Sequence, residues 1–305
     1  MMINEIEKYC QEPCVMTIGK FESIHIAHKK LIENVVQRAT ELNICSTVFS
    51  ICKNPNAILS DRPYMPLFTE EERLYMFNEL RVKNILEVEF TKEFANISGE
   101  DFCNLIFNKC RVRELFVGEN FKFGKNRSAD VLLLKDFAKN FNAVVNIVPV
   151  LSNKTKDEAI STSTIRQYIS NGDISMANKY LGYEYFIMGK TVKGKQIGRT
   201  IDFPTVNIIP EKLVPLKGVY STLFVHEGKQ YKSITNIGKN PTLQDNKNIS
   251  VETFVLKSPT ILSDYDFYGR NIIIKFIDFI RPEMKFSGVD ELTAQIRKDI
   301  AMVDG

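Results

Sequence analysis

Apolar positions in the first half of the chain follow two alternating spacings. Five short apolar runs are typical of buried strands, at 13–19, 46–51, 85–90, 114–118 and 144–149. Four segments repeat apolar residues every three or four positions, as amphipathic helices do, at 28–42, 70–80, 99–109 and 131–141. Strands that alternate with helices predict a parallel sheet with helices on both faces, and ligands bind such sheets at the carboxyl ends of the strands.

The pattern changes near residue 182. Two further helical segments, at 163–169 and 175–181, precede a series of short apolar runs that glycine, proline and asparagine separate. These runs are typical of antiparallel strands in a barrel or a sandwich, at 185–190, 205–209, 219–225, 230–236, 250–256 and 271–280. An amphipathic helix is predicted at 289–301. We therefore expect two domains, at 1–182 and 183–305.

Composition restricts the class of protein. The chain has 305 residues, more than one ordinary core holds, and its 44% hydrophobic and 25% charged residues argue against disorder. Its net charge of +3 is too balanced for a nucleic-acid binder. No apolar run approaches the roughly 18 to 20 residues that span a bilayer, and the first residues lack a secretory signal. We therefore expect a cytoplasmic protein with no nucleic-acid or membrane partner, and the sequence favours no particular oligomeric state.

The six cysteines all lie in the first third of the chain, and no two of them form a CxxC pair. We interpret them as reduced thiols that mostly serve packing. A metal site at Cys10 and Cys14 is the less favoured alternative, because no second pair of ligands accompanies them.

Two of the three histidines, His25 and His28, follow a strand that ends at Gly19 and stand where a helix begins. Their spacing of three places both imidazoles on one helix face, next to the free N–H groups of the helix terminus. This combination suits a polyphosphate. The alternative is a helix-capping histidine beside a surface histidine, which we would favour for the same pair without a strand and a glycine turn before it.

A second candidate lies at 192–207, where two glycines, with Lys195 and Arg199 next to them, precede a strand. Gly194 and Gly198 allow backbone N–H groups to wrap phosphates, and Lys195 and Arg199 add positive charge. Thr205 and Asn207 follow, two positions apart on a strand, so their side chains share one face. Hydroxyl and amide oxygens are ligands that Mg²⁺ accepts. The alternative is a glycine-containing hairpin before an ordinary edge strand.

Three segments of the first half resemble motifs of the FMN adenylyltransferase module in bacterial bifunctional riboflavin kinase/FAD synthetases. Residues 19–28 resemble GxFDGxHxGH, residues 117–124 resemble VGxDFxFG, and residues 160–166 resemble ISSTxIR. The resemblance implies catalytic roles for His25 and His28. It implies flavin binding by Asn120, Phe121 and Phe123, and ATP binding by Gly19, Lys20, Phe21, Ser161, Thr162 and Arg166.

Four segments of the second half resemble motifs of riboflavin kinases in the same order. Residues 192–207 resemble GxxxGRxLGFPTAN, 250–254 the segment with the catalytic glutamate, 266–269 DxYG, and 281–286 RxExKF. The resemblance implies that Glu252 is the general base and that Thr205 and Asn207 hold the metal. It implies flavin binding by Arg281 and Phe286, and ATP binding by Gly194, Lys195, Gly198, Arg199 and Thr205.

The resemblance covers nearly the whole chain. It implies an α/β parallel-sheet nucleotidyltransferase-like domain, followed by an antiparallel β-barrel riboflavin kinase domain with a C-terminal helix. The implied enzyme phosphorylates riboflavin to FMN and adenylylates FMN to FAD, with ATP as co-substrate and Mg²⁺ as cofactor, and its partners are riboflavin, FMN and ATP.

The first half departs from the family pattern at four places. Glu22 and Ser23 replace Asp-Gly, Ala27 replaces a glycine, residues 53–55 replace PHP, and Asn120 replaces an aspartate. These departures leave two alternatives open. One is a riboflavin kinase whose first domain is impaired or inactive in adenylyl transfer, and the other is a flavin-binding regulatory protein.

Overall fold

The computed structural model describes residues 3–52, 65–149, 160–193, 201, 203–239, 249–256 and 269–304. The chain forms two compact units. The first unit is Met1–Tyr64 with Glu70–Ser161, and the second unit is Met65–Thr69 with Thr162–Gly305. This division concerns packing, and the domain boundary expected between residues 182 and 183 stays a prediction. No helix among the described residues is long and apolar enough to cross a membrane.

The first unit opens with a short 3-10 helix, Ile3–Tyr9, and alternates strands with helices after it. Its strands are β1 Cys14–Gly19, β2 Cys45–Cys52, β3 Asn84–Glu89, β4 Val112–Gly118, β5 Lys122–Phe123, β6 Ala129–Asp130 and β7 Val144–Val148. Its helices are α1 Ile26–Leu42, α2 Glu70–Glu79, α3 Lys92–Asn96, α4 Gly99–Asn104 and α5 Val131–Lys139. The helix expected over 99–109 continues beyond α4 as a π-helical turn, Leu105–Lys109, in which three successive apolar side chains are buried.

Five strands form one sheet in the order β3-β2-β1-β4-β7, and every pairing is parallel. The α/β expectation is therefore confirmed. Met16 and Ile18 of β1 belong to the main core, and Val15 packs with Val35 on the other side, so the central strand is covered on both faces. Because all five strands run the same way, the loop after Gly19 lies at the carboxyl edge.

All six cysteines are among the described residues, and none of them forms a disulfide. Four of them, Cys10, Cys14, Cys103 and Cys110, are buried in the main core of the first unit. This agrees with the interpretation that most of them serve packing.

The described residues of the second unit form two helices, six strands and a final helix. The helices are α6 Thr162–Ser170, α7 Ile174–Leu181 and α8 Val289–Asp304, and the strands are β8 Phe186–Val192, β9 Thr205–Ile208, β10 Gly218–His226, β11 Lys229–Lys239, β12 Ile249–Val255 and β13 Asn271–Arg281. The strands close into a barrel in the order β10-β11-β12-β9-β8-β13, with antiparallel pairing throughout. The structure is thus a barrel and not a sandwich.

Buried hydroxyls mark the side of β10, β11 and β12 that faces away from α8. Thr222, Thr235 and Thr253 are linked by hydrogen bonds of 2.8 Å, and Ser233 joins Thr222 at the same distance, so each hydroxyl has a partner. Side chains alternate along a strand, so Glu252 and Phe254, which flank Thr253, lie on the opposite side. Apolar residues of α8 cover that side. A cavity therefore lies between the outer surface of the barrel and α8.

Candidate active sites

His25 and His28 lie together at the start of α1. His25 is the N-cap, with φ −66° and ψ 174°, and its Nδ1 accepts a hydrogen bond of 3.4 Å from the backbone N–H of His28. The two imidazoles stack with ring centroids 3.8 Å apart and an angle of 11° between their planes. Phe21 packs edge-on against His28 at 5.0 Å. The helix-capping alternative is therefore correct for His25. It does not describe His28, because the ring of His28 stacks on that of His25.

Burial keeps both imidazoles neutral. It lowers the pKa of His25 to about 4, and burial together with the charge that His25 would carry lowers the pKa of His28 well below 6.5. Because Nδ1 of His25 accepts a hydrogen bond, the proton of the neutral ring is on Nε2. The Nδ1 atom of His28 is buried and has no hydrogen-bond partner among the described residues. The pair therefore offers neutral hydrogen-bonding groups and no fixed positive charge.

A cavity of about 560 Å³, which we call the aromatic cavity, opens at the carboxyl edge of the sheet. It brings together five of the residues singled out in the sequence: Gly19, Lys20, Asn120, Phe121 and Phe123. Phe90, Phe94 and Phe102 add apolar walls. Among its described lining residues none is acidic, and the charged ones are Lys20, Lys122 and Arg127. The cavity can therefore accommodate an aromatic ring system that carries a negative group.

A short hairpin, β5 with β6, carries Phe123 of this cavity, and Phe121 directly precedes β5. Phe123 stacks with Phe121 at 5.6 Å and packs on Phe102 at 5.0 Å. Gly124 has φ +73°, and a Cβ on it would lie 3.0 Å from the backbone nitrogen of Gly99, so the turn needs glycine. Sequence reasoning missed this hairpin, as well as Lys122 and Arg127, because two-residue strands show no periodicity.

The third motif of the first half begins α6. Thr162 is the first residue of that helix, and Arg166 donates a 2.6 Å hydrogen bond from Nη1 to the carbonyl of Met65. Phe21 is 1% exposed, so its side chain serves packing. ATP binding by Ser161, Thr162, Arg166 and Phe21 stays a prediction, and residues 53–55 lie outside the described residues.

A second cavity, of about 300 Å³, lies between the barrel and α8, and we call it the barrel cavity. Four residues singled out in the sequence line it: Thr205, Glu252, Arg281 and Phe286. Phe203 and Phe254 supply aromatic walls, and Asn236 and Glu283 supply polar groups. The sequence analysis included Phe203, Phe254 and Glu283 in its motifs without giving them a role, and it gave Asn236 none.

Glu252 stands between two asparagines in the strand register. It is paired with Asn207 of β9 on one side and with Asn236 of β11 on the other. The hydroxyl of Ser250 donates to Glu252 Oε1 at 3.3 Å. Asn207 is only 8% exposed and does not line the barrel cavity, whereas Thr205, two residues earlier, is exposed and lines it. The predicted base and the predicted metal ligands are thus on adjacent strands.

Part of the predicted phosphate-binding loop lies outside the described residues. The residues of this loop that are not described include Gly194, Lys195, Gly198 and Arg199. Residues 266–268 of the separate DxYG motif also lie outside the described residues. Their roles stay predictions.

Arg281, at the end of β13, is held by α8. Its Nε donates to both carboxylate oxygens of Asp299 at 3.0 Å, and its Nη2 donates to Oδ2 at 2.8 Å. Gln295 also donates to Asp299, at 2.9 Å. The guanidinium lies 5.9 Å from the centroid of the Phe286 ring. Sequence reasoning took 289–301 only as an amphipathic helix and gave Asp299 no role.

Comparison with known protein families covers almost the whole chain. The FAD synthetase family model matches residues 7–164, and the riboflavin kinase (flavokinase) family model matches residues 181–304. The riboflavin kinase match contains all four of the motifs that were assigned to it from the sequence. The FAD synthetase match contains the first two of its motifs and residues 160–164 of the third, and Arg166 lies two positions beyond its end.

Curated relatives are similar over most of their length. A bifunctional riboflavin kinase/FMN adenylyltransferase from Escherichia coli K12 is 31% identical over 304 residues, which is 97% of this chain and 94% of the relative. Proteins of the same name from Listeria monocytogenes and Buchnera aphidicola are 30% and 32% identical, over 93% and 95% of this chain and 90% and 92% of theirs. A crystal structure described as a macrolide-efflux protein from Streptococcus pneumoniae superposes with a TM-score of 0.83 at 24% identity, over 98% of this chain and 97% of that one, which shows a shared fold.

Proposed function

The chain belongs to the bifunctional riboflavin kinase/FMN adenylyltransferase family, and from this premise we propose how its residues perform two ATP-dependent reactions. The protein phosphorylates riboflavin to FMN and adenylylates FMN to FAD. One observation carries the assignment of a reaction to each cavity, namely the opposite charge of their walls. The described charged groups of the aromatic cavity are all cationic, whereas the barrel cavity has three carboxylates, and Arg281 is paired with one of them.

This contrast matches the flavins that each reaction uses. Riboflavin is uncharged, and FMN carries a phosphate of charge close to −2 at neutral pH. The barrel cavity, with Glu252 and Glu283, favours the uncharged flavin and disfavours the product. The aromatic cavity, with Lys20, Lys122 and Arg127, favours the phosphorylated flavin. The wall charges therefore favour release of FMN from the barrel cavity and its capture by the aromatic cavity.

In the kinase reaction the flavin ring lies in the barrel cavity against Phe286 and Arg281. Glu252 takes the proton of the terminal ribityl hydroxyl as that oxygen attacks the γ-phosphorus of ATP, and ADP leaves. The hydroxyl of Ser250 donates a hydrogen bond to the carboxylate of Glu252, and the strand register places Asn207 and Asn236 on either side of this residue.

The donors around Glu252 fit a magnesium ion that ATP brings. Thr205 offers a hydroxyl and Asn207 an amide oxygen from the strand paired with β12, and hard oxygen ligands are what Mg²⁺ accepts. When bound, the ion would neutralise charge on the phosphates. Two neutral ligands suit an ion that keeps its waters and its phosphate contacts.

In the adenylyl transfer the isoalloxazine ring of FMN lies in the aromatic cavity, with its phosphate towards the cations. A phosphate oxygen of FMN attacks the α-phosphorus of ATP, the bond between the α- and β-phosphates breaks, and pyrophosphate leaves. Nε2–H of His25 and the ring of His28 donate hydrogen bonds to the phosphates of ATP as their charge shifts. A neutral N–H donor can do this, because a hydrogen bond to a phosphate oxygen strengthens as negative charge shifts onto the leaving pyrophosphate.

The test is incubation of the protein with riboflavin, ATP and MgCl₂, followed by chromatographic separation of the flavins. We expect FMN to appear first and FAD after it, and we expect FAD to form directly when FMN replaces riboflavin. FMN that accumulates without FAD would contradict the assignment of adenylyl transfer to the first unit. The absence of both products would contradict the proposal as a whole.

A further inference from the structure

The ion pair of Arg281 and Asp299 is the most enclosed charged contact in the barrel cavity. The side chain of Asp299 is 2% exposed and that of Arg281 is 15% exposed. Three hydrogen bonds of 2.8–3.0 Å join them, and Gln295, one helical turn before Asp299, donates a fourth to the same carboxylate. A carboxylate so deeply buried is stable only with such partners. The pair therefore fixes both side chains in one geometry.

The hydrogen bonds of this ion pair engage the edge of the guanidinium and leave its planar face available for stacking. Nε and Nη2 donate to Asp299, and Nη1 donates to the carbonyl of Pro282 at 3.1 Å. The positive charge is balanced by Asp299, so Arg281 is a poor candidate for a phosphate ligand. A planar guanidinium whose edge is engaged can still stack on an aromatic ring, and Phe286 already lies 5.9 Å away.

We propose that Asp299 is a positioning residue for the flavin ring, which acts by holding the guanidinium of Arg281 flat against the wall of the barrel cavity beside Phe286. The function of α8 in this account is to present Asp299 and Gln295 from a rigid backbone. The inference rests on the proposed function, because it takes the barrel cavity as the riboflavin site. It assigns Asp299 to flavin affinity and not to phosphoryl transfer, which takes place at Glu252.

The first test is Asp299→Asn, which keeps the shape of the side chain and removes its charge. The matched control is Glu114→Gln, which weakens an arginine–carboxylate pair of the same length but greater exposure in the first unit, where Arg38 Nη2 lies 2.8 Å from Glu114 Oε1. We expect Asp299→Asn to raise the KM for riboflavin about tenfold, the scale of a lost ring–guanidinium contact. We expect its kcat and its KM for ATP to stay within about twofold of wild type, and the control to change none of the three.

An unchanged KM for riboflavin in Asp299→Asn would overturn the inference, as would a fall in kcat with KM unchanged. Wild-type protein that neither binds nor phosphorylates riboflavin would instead overturn the proposed function. The two failures are therefore distinguishable, since one concerns the variant and the other the parent protein.

A second variant separates positioning from stability. Replacing a buried ion pair with apolar residues of similar volume is often neutral for folding, so Arg281→Met combined with Asp299→Leu should restore any melting temperature lost in the single variant. Riboflavin binding, followed by quenching of flavin fluorescence, should stay about tenfold weaker than in wild type. A double variant that binds riboflavin as tightly as wild type would overturn the inference, because it would show that only packing is required.

Discussion

Acidification should destabilise the first unit, because His25 is neutral inside it. Burial holds the pKa of His25 at about 4, whereas an unfolded chain has the ordinary value near 6.5. Below pH 6.5 the ring of His25 therefore binds a proton in the unfolded chain but not in the folded unit. The stability that goes with the neutral ring is fully present above pH 6.5 and is lost as the pH falls towards 4. His28 acts in the same direction, since its pKa is also lowered.

The size of the effect follows from the two pKa values. The difference between about 4 and 6.5 corresponds to about 3 kcal/mol of unfolding free energy for His25 when the loss is complete, and to about 2 kcal/mol by pH 5. Protonation also removes the acceptor that caps α1, because Nδ1 takes the hydrogen bond from the N–H of His28. The first turn of α1 should therefore loosen together with the loss of stability.

The assay uses the fact that the chain has only three histidines. Proton NMR of the ring Cε1–H, assigned with His25→Asn and His28→Asn, should show no titration of His25 between pH 7 and pH 5. Asparagine is a good N-cap, so His25→Asn keeps the start of α1. Urea unfolding at pH 7 and pH 5 should show that the variant loses about 2 kcal/mol less than wild type. A His25 resonance in the folded protein with a midpoint near 6.5 would refute the reasoning.

Three further substitutions test the cavities. Gly238→Ala would place a Cβ 2.6 Å from Glu283 Oε1 and 3.1 Å from Asn236 Nδ2, two side chains that line the barrel cavity. We therefore expect a several-fold lower kcat/KM for riboflavin, with unchanged FAD formation from FMN. An unchanged kinase rate would contradict this expectation. Arg127→Ala should raise the KM for FMN about tenfold at low salt, as expected for loss of one charge contact, and equal KM values would show that the cation does not meet the phosphate. Asn207→Ala should raise the Mg²⁺ concentration needed for half-maximal kinase activity, measured by titration at fixed ATP, and an unchanged requirement would exclude this ligand.

The spacing of apolar residues was sufficient to predict the parallel sheet, because each of its strands is a buried run next to a helix in sequence. Closure of the barrel could not be predicted in the same way. It depends on the pairing of β8 with β13, two strands that are about 80 residues apart and carry no local sign of each other. The pattern of apolar residues therefore did not distinguish a barrel from a sandwich. The resemblance implied a barrel, and the structure shows one.

The candidate sites were predicted to different degrees. Thr205, Glu252, Arg281 and Phe286 were singled out from motifs and line one cavity. Asp299 was missed because its partner lies 18 residues away, on a strand, and an aspartate on an amphipathic helix normally faces solvent. The lowered pKa values of the two histidines were also beyond the sequence, since they arise from burial, which only the packed structure defines.

The central claim is that one chain contains two separate reaction sites that share FMN. The most direct measurement follows Glu252→Gln with each flavin in turn, in the presence of ATP and MgCl₂. The variant should form no FMN from riboflavin, yet convert supplied FMN to FAD at the wild-type rate, with an unchanged melting temperature. Loss of FAD formation from supplied FMN, or normal FMN formation from riboflavin, would contradict the account.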